Sequence, residues 1–443
     1  MPTPSQVSTV PPTAARLAQP RPLSGGRIAI WSLFALALVA APYVFTSSLA
    51  LTMLSQIGYL IIICLSYNIL LGQGGMLSFG HAVYTGLGSF MTIHAMNMAA
   101  RGELPIPLAF MPLVGGLAGA FFAVLLGFVT TRRAGTTFAM ITLGIGELVA
   151  AMALMFPEFF GGEGGITTDR TYGKGFLGIT FGPAIQVYYL IAAYCFVCTA
   201  LMFAFTGTPL GRILNAVRDN PERVEFIGYN TQRVRWFAFT IAGFFAGIGG
   251  ALAAINFEIV TGADSVSTIR SGGYLLFTFL GGAGFFFGPM IGAALLVFAS
   301  VLLSELSKAW LLYLGLAFLF MVMFAPGGVA SLIMLNVRLA RFGKLRAVLP
   351  SYAALFVAGC VALLGAAAMV EMAYHLQLNA ALGPQMHFLG MTLDASAAQS
   401  WVVSAVVFLV GAAAFEVLRR RFLRLWSAVQ VEIEQRIARG EAV

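Results

Sequence analysis

Apolar residues in this chain come in long blocks rather than in alternation. Between Ile28 and Phe415 the blocks fall at about 28–45, 49–71, 82–99, 108–131, 136–156, 184–206, 236–257, 271–286, 287–304, 309–324, 351–373 and 400–417. Most approach the roughly 20 helical residues that cross about 30 Å of hydrocarbon. A lipid-embedded barrel would instead alternate apolar and polar positions over short segments, and here Gly and other small residues punctuate continuous runs. The pattern predicts an all-α integral membrane protein, a polytopic bundle of about twelve spans with some Gly-broken helices.

Composition sharpens this picture. Of 443 residues 59% are hydrophobic and 9% charged, against roughly 25% charged in a soluble domain. The net charge of +8 is not a nucleic-acid footprint, because twenty of the 25 Lys and Arg residues fall on one side of the expected spans. That bias places both termini in the cytoplasm. The first block is long and followed by further apolar sequence, so it reads as an uncleaved span rather than a leader. Cys64, Cys195, Cys198 and Cys360 all fall within spans and read as small buried hydrophobes.

The segments between and beyond the blocks differ in character. Residues 1–26 are rich in Pro, Ser and Thr and are expected to form a disordered cytoplasmic tail. Residues 157–183 and 374–399 read as external connections; His375 and His387, with no Cys nearby, make a poor metal site. Residues 419–443 place Leu425, Val429, Ile433 and Ile437 at helical spacing among charges, an amphipathic tail for the inner membrane surface.

Candidate chemistry begins with an absence. A nucleotide-binding P-loop needs Gly-Lys followed by Ser or Thr, so that Lys and a hydroxyl meet phosphate and Mg²⁺. Lys174, Lys308 and Lys344 are followed by Gly, Ala and Leu, so the chain carries no such motif. It is expected to bind no cofactor of its own, and if ATP drives its work another chain must hold the ATP and Mg²⁺ and hydrolyse it.

Three features of the sequence point to transport. The segment 207–235 is the longest charged stretch between two blocks, with Arg212, Arg218 and Arg223 beside Asp219 and Glu222. Asn220 followed by Pro221 starts a short helix there and Gly228 ends it. So short a helix is not stable alone, and its mixed charge suits a protein partner better than anionic lipid. Second, Gly72, Gln73, Gly74, Ser78 and His81 form a Gly-rich polar interruption, with Gly282 to Gly288 a faint echo of it. Non-helical backbone at membrane depth survives where protein or a water-filled path satisfies it; close helix packing is the rival explanation. Third, Glu147 lies inside an apolar run and is expected to face the bundle interior, in a pathway shared with Asn68 and Thr142.

These same residues carry a resemblance. LSYNILLGQGGMLSFGHAVYTGLGSF (65–90), TTFAMITLGIGEL (136–148), GGEGGI (161–166), PLGRILNAVRDNPERVEFIGYNTQRVRW (209–236) and AFTIAGFFAGIGGALAAINF (238–257) resemble the branched-chain amino acid ABC permease family. With the run from Gly281 to Pro289, they extend the likeness over about 49–335, in the order of the branch usually paired with a second, related permease. The resemblance implies an ABC permease domain over 27–335 and an importer of branched-chain or similar amino acids across the bacterial inner membrane. Its partners would be a second homologous permease, two cytoplasmic ATP-binding subunits and a periplasmic solute-binding protein. It also implies that the loop around Arg218, Asp219, Asn220, Pro221 and Glu222 docks into the ATPase. A typical member ends soon after Pro326-Gly327-Gly328, so the two-span extension over 336–418 departs from the family. Twelve spans with both termini inside also suit an ion-coupled secondary transporter.

Overall fold

The computed structural model describes residues 25–171, 180–378, 383–388 and 390–438. Most of the expected N-terminal tail, Lys174 and the last five residues therefore lie outside the described residues.

Among the described residues eighteen α-helices follow one another. The first part contains α1 (Gly25–Val44), α2 (Ser48–Asn68), α3 (His81–Ala100), α4 (Met111–Thr130), α5 (Gly135–Met155), α6 (Pro157–Phe160) and α7 (Ala184–Gly207). Then come α8 (Pro209–Asp219), α9 (Pro221–Phe226), α10 (Thr231–Phe257), α11 (Gly262–Ser265), α12 (Thr268–Gly281) and α13 (Gly288–Phe298). The last are α14 (Ser304–Leu306), α15 (Trp310–Phe324), α16 (Gly328–Arg341), α17 (Leu345–Leu378) and α18 (Ala398–Ala438). The described residues also form two small antiparallel ribbons, β1 (Ile166–Thr167) with β2 (Ile259–Val260) and β3 (Gln385–Phe388) with β4 (Met391–Asp394).

The expectation of about twelve spans needs correction. Among the described residues nine helices are long and apolar enough to cross a membrane, or ten if α15 and α16, bent by 49°, form one broken span. The two blocks that drop out do so for different reasons. Helix α3 has the length, but it carries His81, Thr85, Ser89, Thr92 and His94, because protein rather than lipid surrounds it. Helix α12 has 14 residues, about 21 Å at 1.5 Å per residue, which falls short of the hydrocarbon thickness.

The core is built around α10, which packs on α2, α3 and α4. Lipid gives helices no hydrophobic reason to associate, so close backbone approach through small residues must supply the attraction. Helix α4 offers Gly115, Gly116, Gly119 and Ala123 on one stripe, and α10 answers with Gly243, Gly247 and Ala251. Against α3 the approach is tighter still. A methyl group at Gly250 would run into the Thr85 carbonyl, and the Ser89 hydroxyl donates to the Gly250 carbonyl at 2.8 Å.

The extension behaves differently. Helices α17 and α18 pair along most of their length, from Gly365 against Phe408 through Tyr352 against Phe422 to the Lys344–Glu432 ion pair at 2.6 Å. At that end Val348, Val429 and Ile433 enclose Leu339 of α16. On the permease side Glu371 of α17 accepts from the hydroxyls of Ser307 and Tyr313. Helix α18 is unbroken from the expected second span into the expected amphipathic tail.

Candidate functional site

Helix α2 does not end cleanly; it widens into a π-turn over Ile69–Gln73 before the chain unwinds to Gly80. Such widened turns are rare and cluster at functional sites. Here the reason is local. At Gly72 a side chain would collide with both the Asn68 carboxamide and the Ala283 carbonyl, so the turn presses against the second Gly-rich break, between α12 and α13. That second break in turn meets Gly327 and Gly328: Gly282 has φ +116°, and a methyl group there would meet the Gly327 carbonyl.

Helix α8 closes this junction from outside. Thr208 caps it by accepting from the Gly211 amide at 3.2 Å, and Pro209 fills the first turn. Its buried face, Gly211, Leu214 and Val217, turns toward the bundle. Two polar side chains on it reach the π-turn: Asn215 donates to the Gln73 carboxamide oxygen at 2.7 Å, and the Arg218 guanidinium donates to the Gly72 carbonyl. A widened turn leaves carbonyls without their helical partners, and a guanidinium is the strongest donor available to them. Arg218 also holds Asp219 at 3.0 Å.

Helix α9 follows as the sequence expects. The Asn220 side chain accepts from the Arg223 amide at 2.9 Å, Pro221 opens the helix, and Gly228 at φ +91° follows it. Glu222 and Arg223 are exposed, as is Arg212 on α8. Beside them stand apolar side chains the sequence reading passed over: Phe226 is 89% exposed, Ile227 68% and Tyr229 46%. Their signal was present, three large apolar residues inside a charged interspan loop.

The interior polar residues do not form one pathway. Ser78 and His81 cluster with Ser66 and Tyr67: Tyr67 donates to the Ser78 carbonyl at 2.8 Å, and the Ser66 hydroxyl lies 2.9 Å from His81 Nε2. All four are buried. Thr142 accepts from the Phe79 amide at 3.1 Å, so it fastens the unwound segment to α5. Asn68 faces the Gly72 turn, and Gly74 packs near Leu214 of α8. Glu147 contradicts its expectation. The buried stripe of α5 runs through Phe138, Thr142, Gly146, Val149 and Ala153, and Glu147 sits beside that stripe on an exposed flank. Its carboxylate accepts from the Thr268 hydroxyl at 2.6 Å, a partner on α12 that relieves part of the cost of its position.

At the other end of α2 and α10 lies a cavity of about 280 Å³, lined by Tyr59, Ile63, Phe257, Val260, Arg270 and Tyr274 among others. The β1–β2 ribbon borders it, with Ile166 opposite Val260. Arg170 fixes this rim by donating to the carbonyls of Phe181 and Gly182, at 3.0 and 3.1 Å. Asp169 beside it accepts from the amide and hydroxyl of Thr171, which holds its carboxyl below the usual range. From Tyr59 to Gly72, α2 is a rod of about 20 Å at helical rise. Helix α12 runs the same way, from Arg270 toward the Gly282 break. Two helices thus join the cavity to the junction that α8 grips.

Long apolar helices whose Gly-rich breaks touch one another make this a polytopic helical membrane protein. The family described as branched-chain amino acid transport system / permease component matches residues 49–326, and the chain belongs to it. It is a multi-pass membrane protein of the bacterial inner-membrane permease type and a permease subunit of the ABC-importer kind, a transport subunit rather than an enzyme. Among similar proteins is the high-affinity branched-chain amino acid transport system permease protein LivM of Escherichia coli, 28% identical over 292 residues, covering 60% of this chain and 67% of that one. The protein of the same name from Salmonella typhimurium is 28% identical over 290 residues, with the same coverage. The nucleoside ABC transporter permease protein NupC of Lactococcus lactis is 24% identical over 212 residues, 46% of this chain and 65% of that one. No solved structure matches the chain.

Proposed function

We propose that this chain is a LivM-like permease that carries branched-chain or related amino acids inward, in complex with a second homologous permease, two cytoplasmic ATP-binding subunits and a periplasmic solute-binding protein. The observation that carries this reading is the clamp of α8 on the Gly-rich π-turn through Arg218 and Asn215. A charged interspan loop with no internal role would not bond to a membrane-buried break.

In this reading the 209–230 segment is cytoplasmic and has two faces with separate tasks. Phe226, Ile227 and Tyr229, rimmed by Glu222 and Arg223, form the outward face that docks in the ATPase; aromatic anchors within a charged rim are the usual anatomy of a protein interface. Arg218 and Asn215 form the inward face. Movement of the ATPase then shifts α8, α8 shifts the π-turn, and α2 passes the shift toward the cavity, as rigid elements pass hinge motions. Residues 27–335 are the transporting body, and 336–438 an added hairpin.

Charge reversal at both Glu222 and Arg223 tests the outward face. The expected result is normal membrane insertion with ATPase association weakened tenfold or more, read by co-purification, and uptake lost in proportion. Retention of full uptake removes the docking role. Uptake by this chain alone, in vesicles carrying an ion gradient and no ATP, would replace the importer reading with a secondary transporter.

A further inference from the structure

Arg270 is one of the five Lys and Arg residues that lie on the side of the expected spans opposite the basic segments. The structure gives it a task. It opens α12, where its backbone amide donates to the Ser267 hydroxyl at 3.2 Å, and its side chain lies in the wall of the cavity. Asp264 holds the guanidinium from one edge: Nε donates to the Asp264 carbonyl at 3.1 Å and Nη2 to the Asp264 carboxylate at 2.5 Å. A guanidinium has five N–H donors in a fixed plane. These bonds use two of them, and Nη1 has no hydrogen-bond partner among the described residues.

The surroundings favour one kind of occupant. The Arg270 side chain is 35% exposed while that of Asp264 is 70% exposed, so the carboxylate is the more solvated partner and the guanidinium the more enclosed one. Tyr59 and, one turn further along α12, Tyr274 share the cavity with Arg270; the rest of the wall is mixed, with Ile63, Phe257 and Val260 supplying apolar surface and Thr85 and Ser89 hydroxyls. A planar cation held from one edge, with free donors and apolar side chains elsewhere in the same wall, is an arrangement that takes a carboxylate with a hydrocarbon body. The cavity volume of about 280 Å³ limits that body to a small solute.

We infer that this permease itself recognises the carboxylate of its solute, through Arg270 positioned by Asp264, at the end of α2 opposite the α8 clamp. The inference rests on the permease reading above and adds a binding step within the membrane subunit. Arg270 is the binding residue; Asp264 is a positioning residue, because it orients the guanidinium plane.

The test uses the complete transporter, this chain with its partner permease and ATPase subunits, purified in detergent without the solute-binding protein. The probe is radiolabelled L-leucine at millimolar concentration, with 4-methylpentanoate, which lacks the ammonium, and 3-methylbutylamine, which lacks the carboxylate, as competitors. Saturable leucine binding is expected, displaced by 4-methylpentanoate and at least tenfold less effectively by 3-methylbutylamine. R270Q should weaken binding tenfold or more in an assembly of normal size. R270K, which keeps charge but loses the planar fork, should fall between, and D264N should weaken binding less than R270Q. Equal competition by the amine, absence of saturable binding to the wild type, or unchanged binding by R270Q would each overturn the inference. Competition on the wild-type assembly decides the matter even if R270Q fails to assemble. A transporter that takes up leucine yet fails these tests loses the Arg270 site and keeps the permease reading; a chain that never assembles with an ATPase loses both.

Discussion

The permease body and the added hairpin are both built of long apolar helices but differ in how much of each helix protein encloses. In the 18-residue apolar window of α10, 78% of residues are buried, whereas the corresponding windows of α17 and α18 are 17% and 11% buried. Both bring backbones into contact through Gly, at Gly250 in the body and at Gly365 and Gly411 in the hairpin, and the body also threads polar bonds such as Ser89 to Gly250 between its helices. The hairpin joins two long helices along one seam and leaves the rest to lipid. At 34 residues α17 is about 51 Å long, longer than the roughly 30 Å of hydrocarbon requires. Polar breaks, a cavity and a clamp are all found in the body, because only a fully protein-lined interior can satisfy non-helical backbone. Equal hydrophobicity therefore says little about which part of such a chain does the transporting.

The sharpest way to break this comparison is to add one side chain to each region. Gly250→Val sets a branched side chain against the Thr85 backbone, which cannot retreat without separating α3 from α10. The expected result is loss of monodisperse protein after solubilisation, beyond the ~1–3 kcal/mol of ordinary overpacking. Gly359→Ala in the hairpin meets only the Phe415 ring at 3.7 Å, ordinary contact, and should leave the elution profile and thermal midpoint unchanged. Similar damage from both would show that position 359 is packed as tightly as position 250.

Next in size is Arg218→Ala, which removes the inward face of the clamp while leaving the aromatic outward face intact. A charge-assisted hydrogen bond is worth about 1.5–3 kcal/mol. The chain should still co-purify with the ATPase, with uptake reduced tenfold or more and ATP hydrolysis no longer responsive to solute. Loss of co-purification instead would place Arg218 in the docking surface.

Smaller effects are expected in the hairpin. Glu371→Gln keeps an acceptor for Ser307 and Tyr313 but loses its charge, so stability should fall by about 1 kcal/mol, read as a shifted melting midpoint. A chain ending after Phe342 should insert and support uptake with its partners, since the hairpin provides none of the cavity or clamp residues. Abolished uptake in that truncated chain would make the extension part of the transport machinery.

Much of this architecture was legible in the sequence, residue by residue. Asn220-Pro221 and Gly228 bracket α9 because capping and backbone freedom are local properties. The Gly-rich interruption after Asn68 is a break because clustered Gly weakens a helix wherever it falls. Span counting failed at α3 because hydropathy assumes lipid as the neighbour and this helix has protein, and at α12 because the Gly282 break leaves the helix too short to cross. Glu147 was misplaced because a residue's position around a helix depends on which face its neighbours occupy. Arg270 went unnoticed because an isolated Arg at the head of an apolar run looks like a loop cation. An Asp six positions earlier was the only hint, and it gains meaning when the turn through α11 brings the two together.

By itself the sequence determined that the chain lives in a membrane, that it is helical, that it bears a short charged helix between spans, and that it carries no P-loop of its own. Those properties follow from local energies: transfer of apolar side chains, capping of helix ends, and presence or absence of a contiguous motif. Only tertiary structure decided that α8 grips the π-turn, that two distant Gly-rich breaks touch, and that Arg270 shares a cavity with Tyr59. Each joins residues far apart in the chain, and such contacts depend on how closely backbones can approach, which no single segment encodes.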